Sequence, residues 1–210
     1  MTDRDVMCRL DWAGRLRAGA GVAAACVLLA LLAACREPVP EPRQFESLLT
    51  GFQGEGPLSA DLDKRVGRFL RKADEHDLRR QLSYAYGRAL QERQRYEEAG
   101  EAYARCDVAE FALRDFARYY RGQCLAELER YDEAAAQYRS ILDDFPDFPL
   151  RESALLRVGK AHENGGQYAA GLAVFQTLVA ERGLGREAQY FVGVSHEGLG
   201  APQAAYEAYQ

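Results

Sequence analysis

The chain is poor in the residue types that chemistry at a site requires. It has three histidines in 210 residues, and two of them, His162 and His196, are each followed by glutamate, as in a zinc-protease helix. The second ligand of such a site must stand four residues on, and residues 166 and 200 are both glycine. His76 falls in "KADEHDL", which reads as a solvated turn. Ser195 precedes His196 directly, and neighbours on a helix diverge by about 100°, so the two make no nucleophile and base pair. No glycine-rich phosphate loop is present; "ENGG" and "ERGLG" read as turns between helices. Basic charge is also lacking: 27 Lys and Arg stand against 32 Asp and Glu, a net charge of −5. An acidic chain of this kind is unsuited to nucleic acid, whose phosphates need a basic surface. The sequence therefore offers no catalytic residues, no metal ligands and no cofactor site.

Long apolar runs are scarce too. The one candidate, Ala18–Ala34, has 17 uncharged residues, at the short end of what spans a bilayer. Arg15 and Arg17 precede it, as in the positive region of a secretory signal. It ends in Leu32-Ala33-Ala34-Cys35, with Arg36 next. This pattern resembles the bacterial lipobox, and the resemblance implies cleavage before Cys35 and acylation of its thiol, making residues 1–34 a lipoprotein signal peptide. The alternative is an uncleaved anchor with an incidental cysteine. Two or three acyl chains, at about 0.8 kcal/mol per buried CH2, hold a domain durably on a membrane. Arg36 in place of Asp implies the outer membrane. Processing removes four Arg and three Asp, which takes the charge from −5 to −6. It leaves Cys106 and Cys124 as the remaining thiols, read as small buried side chains or as a disulfide that a Cα separation above about 7 Å would forbid.

Residues 35–58 read as the acylated cysteine and a flexible tether. They hold Pro38, Pro40, Pro42 and Pro57 with Gly51, Gly54 and Gly56; the alternating prolines favour an extended polyproline segment, and no helical apolar stripe is expected after them. The 23 residues 36–58 reach at most roughly 70 Å at about 3.1 Å each. Residues 59–79 then read as an N-terminal capping helix, with Ser59 or Asp61 as its cap and Leu62, Val66, Phe69 and Leu70 on one face.

The rest of the chain repeats. Gly87, Gly122, Gly159 and Gly193 are spaced by 35, 37 and 34 residues. Twelve residues after each stands Ala99, Ala134, Gly171 or Ala205, and four further on Tyr103, Tyr138, Phe175 or Tyr209. This resembles the tetratricopeptide repeat, whose 34-residue unit has glycine at position 8, a small residue at 20 and an aromatic at 24. Numbered so, the units begin at Arg80, Asp115, Glu152 and Arg186 and cover 80–113, 115–148, 152–185 and a truncated 186–210. The resemblance implies an all-α fold, an α-solenoid of antiparallel helix hairpins (helices A and B of each unit). Each hairpin needs its neighbours to cover its apolar face. The small residues sit where helices cross, with the aromatic filling the space beside them. "DDFPDFPLRES" reads as a longer junction between helices A and B, its prolines stopping one helix and Arg151 or Glu152 beginning the next. The chain stops within the fourth unit, and a longer natural protein is the expectation.

In repeats of this kind the A helices line a concave surface, with positions 2, 5, 9, 12 and 13 facing it. Position 5 reads Tyr84, Tyr119, Leu156 and Tyr190. Position 9 carries Arg88, Gln123, Lys160 and Val194. Four residues apart, each pair shares a helical face. Aromatic and arginine side chains are enriched at interfaces, so Tyr84, Arg88, Tyr119, Gln123, Leu156, Lys160 and Tyr190 are the candidate partner-binding groove. The other reading of the tyrosines is that they brace adjacent A helices. Lipobox, tether and repeats together resemble the outer-membrane assembly lipoproteins of the BamD/YfiO type. That resemblance implies a non-enzymatic scaffold, lipid-anchored at the outer membrane and facing the periplasm. Its partner would be another envelope protein or peptide, in particular the β-barrel assembly components. The alternative function is the non-catalytic helical region of a peptidoglycan lytic transglycosylase.

Overall fold

The computed structural model describes residues 42–54, 56–72, 77–180 and 183–210. The expected signal peptide, Cys35, the first part of the expected tether and His76 lie outside the described residues. Ten helices, and no strand, occur among the described residues: α1 Pro42–Gly51, α2 Ala60–Lys72, α3 Asp77–Glu92, α4 Tyr96–Ala104, α5 Arg114–Glu127, α6 Tyr131–Asp144, α7 Arg151–Asn164, α8 Tyr168–Val179, α9 Gly185–Gly198 and α10 Pro202–Ala208. From α3 onward each helix packs on the next in sequence. This is the nearest-neighbour stacking of a solenoid, and its core is a series of linked apolar clusters.

The repeated residues explain the hairpins. A Cβ built on Gly87 would lie 2.9 Å from Cε1 of Tyr103, and one on Gly122 would lie 2.6 Å from Cε1 of Tyr138. Phe175 and Tyr209 crowd Gly159 and Gly193 in the same way. The aromatic at position 24 thus lies flat against the backbone of helix A, and only glycine leaves it room. At position 20, Ala99 and Ala134 are fully buried, while a Cβ on Gly171 would come within 3.1 Å of the Gly159 carbonyl oxygen. Each A-to-B turn has one residue with positive φ: Gln94 at 59°, Glu129 at 58°, Gly166 at 75° and Gly200 at 71°. All four occupy position 15, so one left-handed residue reverses the chain in every unit.

Three sequence expectations change in detail. The expected tether contains a helix, α1, because Phe45, Leu48, Leu49 and Phe52 recur at i, i+3, i+4 and i+7 and pack on the apolar face of α2. Its first residue is Pro42, a position where the missing N–H costs nothing. The following loop is pinned by Arg93, whose guanidinium donates to the carbonyls of Gly56 at 2.7 Å, Phe52 at 3.3 Å and Gly54. The capping helix ends at Lys72, and Asp77 already begins the first A helix. Ser59 caps α2, its Oγ accepting from the Leu62 N–H at 3.1 Å. The proline-rich junction joins α6 to α7, so it lies between helix B of one unit and helix A of the next. As expected, it stops α6 at Asp144 and starts α7 at Arg151.

Candidate functional site

The A helices α3, α5, α7 and α9 carry the residues of the expected groove, but burial divides them. Tyr119 is 5 % exposed and Leu156 6 %. Tyr119 lies among the rings of Tyr120, Tyr138 and Phe148, with centroids 5.6–5.8 Å away, and Leu156 belongs to the cluster around Phe175. Tyr84 is half-buried among Tyr103, Phe111 and Tyr120, and burial pushes its hydroxyl up to a pKa of about 12. These three side chains brace the stack. Tyr190, at the far end, is 56 % exposed.

Position 9 keeps more of its polar character. Arg88 lies over the Tyr120 ring at 4.3 Å and pairs with Glu92 at 3.7 Å. Gln123 is tied to α3, its Oε1 accepting from Gln91 Nε2 at 2.9 Å. Lys160 Nζ sits 4.6 Å over the Phe191 ring, and its charge favours ionised Glu163. Beside it Arg157, which the sequence reading passes over, donates from Nε to the Tyr119 hydroxyl at 2.8 Å. Two clefts flank this Arg157–Lys160 ridge. One, of about 370 Å3, is bounded by Ala126, Glu127, Tyr138 and Asn164; the other, of about 170 Å3, by Ser153, Leu184 and Glu187. Ser153, Glu187, Ala126, Glu127 and Asn164 occupy positions 2, 12 and 13, so the repeat numbering itself would have found them. Arg157 stands at position 6, which packs against the preceding hairpin, and the numbering gives no signal for it.

Residues 107–149 and 156–210 match the tetratricopeptide repeat model. Over these residues the chain carries tetratricopeptide repeats. In three dimensions it is similar to a Podosopora anserina protein named for kinesin light chain, with nearly identical TPR-like repeats. The identity is 15 % over 79 % of this chain and 90 % of that one, with a TM-score of 0.60. BtubC (BKLC) from P. vanneervenii superposes with a TM-score of 0.57 at 12 % identity, over 70 % of this chain and 69 % of that one. MamA of MSR-1 gives 0.57 at 14 %, over 79 % and 90 %. At these identities the likeness is one of fold. No curated protein matches the chain in sequence.

Tetratricopeptide repeats serve as protein–protein interaction scaffolds, and several buried polar side chains here hold neighbouring helices together. His162 is buried, with Nδ1 2.7 Å from Gln167 Oε1 and Nε2 2.7 Å from the Arg139 guanidinium. An arginine only donates, so Nε2 is the accepting nitrogen of the ring and Nδ1 faces the Gln167 oxygen. Cys106 and Cys124 are free and buried thiols, which burial pushes up to a pKa of about 12; they behave as small apolar side chains. Among the described residues no group of three His, Cys, Asp or Glu side chains is placed to hold a metal ion.

Proposed function

We infer that the chain is a lipid-anchored, non-enzymatic scaffold of the bacterial cell envelope. In this reading Cys35 ties it to the outer membrane, and the repeats face the periplasm and hold a segment of another envelope protein along their inner surface. The observation that carries the binding role is the state of charge around the Arg157–Lys160 ridge. Some arginines are paired off: Arg95 with Asp63 and Glu98, Arg118 with Asp107 and Asp144, Arg130 with Glu133. Among the described residues neither Arg157 nor Lys160 lies within 4 Å of a carboxylate, and Glu127, Glu129 and Glu187 around the clefts have no basic partner at that distance. Unpaired charges of both signs beside open clefts give register and selectivity to a docking chain. The anchor rests on the apolar run closed by Leu32-Ala33-Ala34-Cys35. The resemblance to the BamD/YfiO type points to β-barrel assembly components as the partner.

Two measurements test this. Cells fed a clickable palmitate analogue should label the wild-type chain and leave Cys35→Ala unlabelled and released from the membrane fraction; equal labelling removes the anchor. A photo-crosslinking residue at Lys160 should give a discrete adduct in the envelope, while one at Glu101 on α4 gives none. Adducts of equal yield from both positions would take the groove out of the account.

A further inference from the structure

Several exposed cations of the repeats have an acid one turn away: Arg88 with Glu92, Arg105 with Glu101, Arg130 with Glu133. Helix α2 departs from this. From Lys64 to Lys72 it reads KRVGRFLRK, with five cations, no acid and two of the three lysines of the chain. Leu62, Val66, Phe69 and Leu70 are its buried side. At about 100° per residue, Lys64, Arg65, Arg68, Arg71 and Lys72 fall on the opposite side within an arc of about 120°, and all five are exposed. Arg65 donates to Ser47 Oγ at 2.9 Å. Lys64, Arg68, Arg71 and Lys72 have no carboxylate partner among the described residues. Asp61, in the first turn, is the one acid of α2 on that side; Asp63 turns away to the Tyr86 hydroxyl and Arg95, each at 2.8 Å. Asp74 and Glu75, which follow the helix, lie outside the described residues. Helix polarity favours Arg71 and Lys72 at the C-terminal end, but it gives no reason for Lys64 and Arg65 nearer the positive end.

A cluster of like charges without counter-charges repels itself, and a polyanionic surface relieves it. The position of α2 in the chain selects that surface. Because α1 already begins at Pro42, six residues separate it from Cys35. Seven Cα steps reach at most roughly 25 Å, against roughly 70 Å for a tether running to residue 58. A bilayer holding Cys35 is then the polyanion nearest to α2. Resting on the reading of Cys35 as a lipid anchor, we propose that the basic face of α2 lies on the phosphate groups of anionic phospholipids and sets how the repeats stand on the membrane. Acyl chains limit the distance and leave the orientation free. Contacts from the cations fix it, each raising the docked population roughly fivefold.

The test uses the full chain as cells acylate it, its fatty acids verified by mass spectrometry, on vesicles of phosphatidylcholine alone or mixed with phosphatidylglycerol. A fluorescent amino acid at position 67, where an added side chain meets only the end of Arg71, reports contact through quenching by nitroxide-headgroup lipid; position 207 on α10 is the control. Quenching at 67 should appear on the mixed vesicles only, be absent at 207, and vanish in about 0.5 M salt, where screening shortens to about 4 Å. Lys64→Gln, Arg68→Gln, Arg71→Gln and Lys72→Gln together should abolish it while the protein stays on the vesicles. Should that variant fold poorly, the single replacements serve, each lowering the ratio of docked to undocked molecules roughly fivefold. Quenching that ignores lipid charge, salt or these replacements overturns the proposal. So does an unquenched position 67 on anionic vesicles, or one that crosslinks in cells only to an acidic protein. An acylated chain without quenching keeps the anchor and loses the face; a chain without fatty acid that still docks in this salt-sensitive way keeps the face and loses the anchor.

Discussion

Replacing Gly122 by alanine should destabilise the protein even though alanine is the better helix former. The new methyl would sit 2.6 Å from Cε1, 2.9 Å from Cζ and 3.0 Å from Cδ1 of Tyr138. The ring must withdraw by about 0.8 Å to reach a tolerable 3.4 Å, and it is held by Tyr119 at 5.8 Å in a fully packed cluster. Overpacking of this kind costs about 1–3 kcal/mol, from which a helical gain of about 0.5–1 kcal/mol is subtracted, leaving a loss of about 0–2.5 kcal/mol, in the upper half of that range where the ring is tightly held. For a domain of this size that is a fall of up to roughly 10 °C in Tm. Gly67→Ala in α2 is the control. Its Cβ would meet only the end of the Arg71 side chain, at 3.3 Å, so the substitution should stabilise by about 0.5–1 kcal/mol. The decisive measurement is the cycle with Tyr138→Ala, followed by circular dichroism in urea. Tyr138→Ala alone should cost about 3–5 kcal/mol, and in that background Gly122→Ala should turn from a loss into a small gain. An equal loss in both backgrounds would refute the account of position 8 as the seat of the aromatic.

Other perturbations separate bracing from recognition and probe the turns and the buried charges. Tyr119→Ser should lower stability by about 3–4 kcal/mol, whereas Tyr190→Ser, at an exposed site, should stay within about 0.5 kcal/mol of wild type in the same thermal melt. Gly166→Ala, at φ 75°, should cost about 1–2 kcal/mol; a neutral outcome would mean that the turn relaxes. Burial opposes charge on Asp107, but hydrogen bonds from Arg114 at 2.7 Å and Arg118 at 2.9 Å outweigh it and hold its carboxyl below the usual range. A depressed pKa makes its contribution complete above the unfolded value of about 3.9 and lost as the pH falls below it. Melts of Asp107→Asn should therefore be lower than wild type at pH 7, with the gap closing toward pH 3.

The hairpins were legible because the crossing geometry admits few residues. A glycine under an aromatic sixteen residues later, with a small residue between, is a steric requirement, and it recurs four times. The apolar stripe of α1 was obscured by the prolines and glycines around it, which outweigh a single i, i+3, i+4, i+7 set in a reading by composition. The groove was only half legible. Position numbers say which side of a helix a residue occupies, but not how deeply the neighbouring helix covers it. Tyr119 and Tyr190 share position 5, and one lies under α7 while no described helix lies over the other.

Arg93 also sets the mechanics of the N-terminal end. Its guanidinium gathers carbonyls from residues 52, 54 and 56, and Arg95 in the next turn grips Asp63 of α2 at 2.8 Å. The same end is also held by apolar packing, with Phe52 against Tyr86 at 5.6 Å and Leu82 in one cluster with Leu48 and Leu62, so the polar clasp and the apolar seam would have to part together for the N-terminal helices to leave the first hairpin.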